Sequence, residues 1–396
     1  MASKTAAPVQ FIQGVQSPNV TVNPDLFYAA TRRMRFPVKS ATSISGLGSS
    51  DPVELRKTGV IAALVVRVSG TVAVATADPT AWLYDYPYGL VKEFRLSANG
   101  QSNLISARGI TVRAHEMSTN PKVTDRSVSR YFAGTAYTNG TMSLDTDVWG
   151  AASGDPNPGA SSGAHAPTTY SIDVSYVIPV AADQRTLAGA LYGQSSATNI
   201  NLEILWNTEA ALVTAGSAAL TWALTYSVDA LAYSIPQVGG QYVVPNLSWF
   251  HQLIETRQGG LVSGDNEIPL PGTGVGRQLL RMYFQTARTS TYAGNPLALN
   301  ATNYNKVAWM YGGSDQPESW SNGTKLAQQN ERETGCHLGK LWGIGLLDFA
   351  SEHAARDTVN LAATSDIRLV LGLAASPTAG YAQVAQEILA AASASA

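Results

Sequence analysis

The sequence predicts an all-β protein built as two sandwiches of similar size within one chain. Three observations carry that expectation. Apolar residues recur at every second position through most of the chain, the period of a half-buried strand, while helical periods are scarce. Asn-Gly, Gly-Gly and Pro punctuate these runs as turn signals. The 396 residues, 45% of them apolar, can fill two cores and would be many for one.

Taken in order, the first strand signal lies in residues 58–77, where Leu64, Val66 and Val68 share a face and Gly70 interrupts the run before Val72 and Val74. Leu90 to Leu96, then Asn99-Gly100, then Leu104-Ile105 read as a hairpin, because both turn residues tolerate positive φ. Ile172, Val174, Tyr176 and Ile178 alternate with polar residues up to Pro179. Ile200, Leu202, Ile204 and Trp206 continue the pattern, as do Trp222, Leu224 and Tyr226. A junction is expected near Ser234-Ile235-Pro236 and Gly239-Gly240. Beyond it Leu280, Met282 and Phe284 alternate with Arg281, Tyr283 and Gln285, and Ile367, Leu369, Leu371 and Leu373 form a last strand.

Two helices are expected. Asn246 is placed to cap one from Leu247 to about Thr256, ended by Gly259-Gly260, and Tyr381, Val384, Ile388 and Leu389 have helical spacing in a segment from Ala379 to Ala392. Two long loops complete the reading. Residues 133–168 surround Trp149, and residues 286–325 surround Trp309, Tyr311 and Trp320. Loops of that length tend to be functional or interfacial, which makes these four aromatics candidates for exposed or interfacial anchors.

Composition narrows the chemistry. Charged residues are 14% of the chain and the net charge is −2, so the surface is polar but weakly charged. Such a surface suits close packing beside other copies, since each desolvated charge at a contact is costly. Sequence-specific nucleic-acid binding is not expected, because phosphate neutralisation needs clustered Lys and Arg. The one compact basic cluster is Arg32, Arg33 and Arg35, with Lys39 following; it is the candidate contact with lipid phosphates or a genome. Cys336 is the only cysteine, which excludes an intrachain disulfide and a cysteine-based zinc site. Residues 1–20 contain Lys4 but no continuous apolar stretch, so no signal peptide and folding in a cytosol are expected.

Catalytic and metal signatures are weak. The histidines, 115, 165, 251, 337 and 353, show no zinc-like spacing, and no metal, cofactor or catalytic residue is expected. Gly272-Thr273-Gly274-Val275-Gly276 resembles part of a dinucleotide loop, but Pro269 and Pro271 precede it and a strand-like run from Leu279 follows, so it reads as a loop between strands. Glu331 and Glu333 have the spacing of a sandwich glycosidase pair, yet lie in a polar stretch that reads as a solvated loop.

Ordered segments then point to a family. Tyr88-Gly89-Leu90-Val91-Lys92-Glu93-Phe94 leads through Asn99-Gly100 to Gly109-Ile110-Thr111-Val112. Tyr176-Val177-Ile178-Pro179-Val180 leads through Asp183, Leu187 and Gly189-Ala190-Leu191 to Asn201-Leu202-Glu203-Ile204, and Gln237-Val238-Gly239-Gly240-Gln241-Tyr242 follows. Their order and spacing, over roughly residues 55–375, resemble the major capsid proteins of tectiviruses, bacteriophages with a membrane inside an icosahedral shell. The resemblance implies two eight-stranded antiparallel jelly rolls side by side, with an N-terminal arm at 1–50, rolls at 51–235 and 236–378, and a C-terminal helix or tail at 379–396.

It also implies a non-enzymatic coat protein. Homotrimers of pseudo-hexagonal outline would tile the virion shell, beside penton and minor capsid proteins and around an internal membrane, after assembly in the host cytoplasm. Pro8, Gly14, Pro18 and Pro24 depart from the family's amphipathic N-terminal helix, so an extended arm with Arg32, Arg33 and Arg35 near lipid is expected instead. The competing expectation is a host-attachment spike or lectin-like sandwich that grips sugar with Trp309, Tyr311 and Trp320. A glycosidase is the third.

Overall fold

The structure is a computed structural model. It describes residues 20–396 except 57, 75–80, 83–86, 99–100, 121–167, 194–198, 216–219, 272–273, 288–295, 337, 351–357, 362–365, 378–379 and 392–396. Trp149 and the predicted Asn99-Gly100 turn lie outside the described residues, although Ala98 pairs with Gln101 as a two-residue turn requires.

Sixteen strands carry the architecture. The first eight are β1 (Arg33–Ser43), β2 (Ser50–Glu54), β3 (Val60–Val74), β4 (Val91–Ala98), β5 (Gln101–Ala107), β6 (Thr168–Pro179), β7 (Ile200–Trp206) and β8 (Leu220–Tyr233). The second eight are β9 (Trp249–Gly259), β10 (Gly264–Pro269), β11 (Arg277–Ala287), β12 (Tyr304–Tyr311), β13 (Asp315–Trp320), β14 (Ile344–Asp348), β15 (Ile367–Leu373) and β16 (Tyr381–Ala391). Three helices matter to the argument: α1 (Pro24–Ala30), α2 (Gly109–Thr119) and α3 (Gly323–Thr334).

In the first half one sheet runs β1-β8-β3-β6 and the other runs β2-β7-β4-β5. In the second half the orders are β9-β16-β11-β14 and β10-β15-β12-β13. Counted from the first strand of each half, both read 1-8-3-6 against 2-7-4-5, the strand order of a jelly roll. The rolls share a sheet: β5 and β9 pair in parallel, with Leu253 beside Ile105, and so join four strands of each half edge to edge.

Each roll closes over its own core. In the first, Leu64, Val66 and Val68 face Phe94, Leu96, Leu202, Ile204 and Trp206. In the second, Leu279, Met282, Phe284, Val384 and Ile388 face Tyr304, Val307, Leu369 and Leu371. Burying each such side chain contributes about 1.5–3 kcal/mol. Gly70 interrupts the apolar alternation, as read, but not β3 itself. The strand continues through it, because its φ of 149° and the Ala223 carbonyl, 2.0 Å from where a Cβ would stand, demand glycine there.

Several expectations are corrected. The first roll already begins at Arg33, within the segment expected to be an arm, and Asn23 caps α1 by accepting from the Leu26 N–H at 3.1 Å. Residues 247–256 hold no helix: Trp249–Gly259 is β9, and the Asn246 side chain instead accepts from the N–H and hydroxyl of Ser248. Residues 381–391 form β16, between β9 and β11 in the shared sheet, not a tail. The expected loop at 286–325 contains β12 and β13, and Glu331 and Glu333 lie on α3. After Gly276 the chain enters β11, so that glycine-rich stretch precedes a strand, as read.

Asp51 shows how a polar group is held in the first roll. Its carboxylate accepts from the Trp206 indole Nε1–H at 2.6 Å, the Ser45 N–H at 3.1 Å and the Ser45 hydroxyl. Burial raises its pKa, but those hydrogen bonds and the Lys39 charge prevail and hold it below the ordinary 3.8. Its contribution is therefore fully present above the ordinary value and lost as pH falls through the lower folded value. Asp51→Ala is expected to cost about 2–3 kcal/mol near neutral pH by stranding the indole N–H, and to shrink the acid-side decline in thermal midpoint. A decline identical to that of the parent chain would refute this account.

Candidate functional site

The predicted site residues are not brought together. Arg32, Arg33 and Arg35 lie exposed at and along edge strand β1, and Arg35 pairs with Asp229 of β8 at 2.7 Å. That places them on a sheet edge rather than on an extended arm. Trp309 lies on β12, is 7% exposed, and stacks edge-on against Phe349 at 5.1 Å. Tyr311 and Trp320 are half-buried over the second core, and the Trp320 indole N–H donates to Gln329 at 2.6 Å. These aromatics close the end of a core rather than stand out from a loop, because β12 pairs with β15 and turns them inward. Glu331 and Glu333 are two residues apart on α3, about 200° around the helix, so they cannot converge on one bond.

What the structure does bring together is a buried polar seam between the rolls. It arises from β11, where Leu279, Met282 and Phe284 fill the second core and, after a register shift between Leu279 and Arg281, Arg281, Tyr283 and Gln285 face the first roll. Opposite them lies α2, buried on nearly every side, from Gly109 and Ile110 round to His115 and Met117.

Arg281 sits between two carboxylates supplied by its neighbours in the sheet. Glu387 of β16 lies at 3.0 Å and Asp348 of β14 at 3.1 Å. Burial alone would lower the Arg281 pKa; Glu387 leads the charges that raise it instead. Burial raises Glu387 in turn, but His115 and Arg281 outweigh it and hold its carboxyl well below the ordinary range. The second oxygen of Glu387 lies 3.1 Å from His115 Nε2 on α2 and 3.2 Å from His251 Nε2 on β9. Tyr283 shares a hydrogen bond with Ser118 of α2 at 2.7 Å, and burial raises its phenol far above the ordinary value.

A second pair spans the same seam. Glu255 of β9 accepts from the Arg108 Nε–H at 2.7 Å and backbone N–H at 2.9 Å, and from the Thr111 hydroxyl at 3.1 Å. One roll thus caps the first turn of a helix belonging to the other. Gln285 accepts from Arg108 at 2.9 Å and donates to the Trp342 carbonyl at 2.6 Å. The seam opens on a groove of about 460 Å³ lined by Glu93, Ser106, Arg108, Asn207, Glu255 and Arg257, among others. Glu93 there is engaged by Arg95 and Ser106. The Cys336 thiol is buried beside the seam and donates to the Met117 carbonyl.

These charges were individually visible in the sequence but not as a site. Arg281, Tyr283 and Gln285 read only as the polar side of a strand, since alternation alone does not say what covers that side.

The same architecture recurs in solved virus structures. The STIV MCP superposes with a TM-score of 0.63 at 14% identity, over 90% of this chain and 96% of that one. The fold is a double jelly roll. A chain from the structure of Sulfolobus Turreted Icosahedral Virus gives 0.61 at 14% identity, with 90% of each chain covered. The major capsid protein P2 of Bacteriophage PM2 gives 0.52 at 12% identity, covering 92% and 99%. At these identities the likeness is one of fold. No protein-family model and no curated protein sequence matches the chain.

Proposed function

We propose that this chain is a major capsid protein, a coat subunit whose work is assembly and containment. The observation that carries the reading is the doubled 1-8-3-6 against 2-7-4-5 strand order, joined through one sheet and shared nearly end to end with capsid proteins of icosahedral viruses. Two similar rolls side by side let a homotrimer present six similar faces, the outline that tiles a flat facet. A weakly charged surface lowers the desolvation cost of those contacts. In this reading the protein is not an enzyme and needs no cofactor. It resides in the virion after assembly in the host cytoplasm, contacts penton and minor capsid proteins, and surrounds an internal membrane. Arg32, Arg33 and Arg35 are the residues proposed to face that lipid, presented from a sheet edge. The competing lectin reading loses its aromatic platform, since Trp309 is buried.

Light scattering during size exclusion is the test. The purified chain is expected at three times 41.7 kDa, with larger assemblies beside it. The same material should float with anionic vesicles, and a triple Arg32, Arg33 and Arg35 to Gln variant should float less. A folded monomer at every concentration would overturn the coat reading; equal flotation by both proteins would remove only the lipid contact.

A further inference from the structure

We propose that His115, His251 and Glu387 form a binding site for a transition-metal dication, zinc foremost, that clamps the two rolls together. The three ligand atoms lie within 4.8 Å of one another, and all three residues are buried. A tetrahedral zinc ion with bonds of about 2.0–2.1 Å places its ligand atoms about 3.3–3.4 Å apart. Glu387 Oε1 stands 3.1 and 3.2 Å from the two Nε2 atoms, so small adjustments admit the ion. Two imidazoles and a carboxylate are a zinc donor set; magnesium and calcium prefer oxygen alone.

Two further observations point to a ligand. His115 Nε2 is aimed into the cluster, is fully buried and makes no hydrogen bond despite its nearness to Glu387. His251 Nδ1 lies 2.8 Å from the Pro179 carbonyl, which can only accept, so Nδ1 carries a proton; in the neutral ring the Nε2 lone pair then faces Glu387 Oε1 at 3.2 Å, a contact that a cation between them would satisfy. That carbonyl support is the usual way a zinc-bound histidine is oriented. Arg281 takes only the other carboxylate oxygen, so Oε1, which faces both imidazoles, can bind in monodentate fashion.

The ligands come from α2 of the first roll and from β9 and β16 of the second. Metal binding would therefore be linked to docking of the rolls, and the ion would be taken up as the chain folds. The inference rests on the seam alone and is independent of the coat reading.

The test uses the full chain, expressed and refolded either with Zn²⁺ or with a chelator present throughout. With zinc, elemental analysis should find about one ion per chain, and the chelated form should melt at a lower temperature. His115→Gln should lower zinc content about ten-fold or more. Should that variant not fold, X-ray absorption on the parent chain decides instead, with two nitrogens and at least one oxygen expected at about 2.0–2.2 Å. A folded parent chain with under about a tenth of an equivalent of zinc, and a melting temperature indifferent to it, would overturn the proposal. The cluster would then be a plain ion pair between Glu387 and a protonated histidine.

Discussion

Arg281→Ala is expected to lower the stability of the folded chain by about 3–5 kcal/mol, the loss that follows when one partner of a buried ion pair is removed. The reason lies in what remains. Glu387 is completely buried and Asp348 nearly so, and both point at the place the guanidinium vacates. Without it, two carboxylates share the seam, and Glu387, the fully buried one, cannot reach water. Arg281→Lys should recover only part of the loss, because an ammonium cannot span both carboxylates as a planar fork does. Arg281→Met combined with Glu387→Gln should cost less than the two single changes together, since it removes the more deeply buried of the two carboxylates that would be stranded. Urea midpoints at unchanged slope are the measurement. A loss below about 1 kcal/mol for Arg281→Ala would mean that water already enters the seam.

The same seam explains where sequence reasoning succeeded and where it stopped. Strands with one buried and one solvated face were legible. Ile172 to Ile178 and Ile200 to Trp206 alternate, and both are strands with those apolar residues buried. Strands covered on both sides were not. From Tyr381 to Ala390 nearly every residue is buried, so no alternation survives, and a run rich in alanine reads as helix by propensity. Its position between β9 and β11 overrides that propensity through pairing along its whole length.

Residues 247–256 failed for a related reason. The side-chain bond that Asn246 makes at a turn is the one it would make as a helix cap, and sequence cannot separate them. β12 was hidden inside a polar neighbourhood, although Val307, Trp309 and Tyr311 do alternate within it. The candidate site was the least legible part. His115, His251 and Glu387 are separated by well over a hundred residues at each step, and only the docking of two rolls makes them neighbours.

Glu255→Ala is expected to cost a similar 3–5 kcal/mol, and its manner of failure would distinguish the seam's two halves. Glu255 and Arg108 are each 7% exposed at the side chain, so the alanine takes the carboxylate away from a buried guanidinium, to which Gln285 offers a neutral oxygen. The same change removes the acceptor for the Arg108 N–H and the Thr111 hydroxyl at the start of α2. Glu255→Gln keeps an oxygen in that position and loses the charge, so it should retain the cap and forfeit the ion pair, at an intermediate cost. Amide hydrogen exchange separates the two contributions. With alanine, the first turn of α2 should open faster than the strands on either side of it, whereas with glutamine its protection should stay near the parent's while the urea midpoint still falls. Equal exchange in all three proteins would mean that α2 is held by its apolar faces alone, and that the second roll contributes nothing to its first turn.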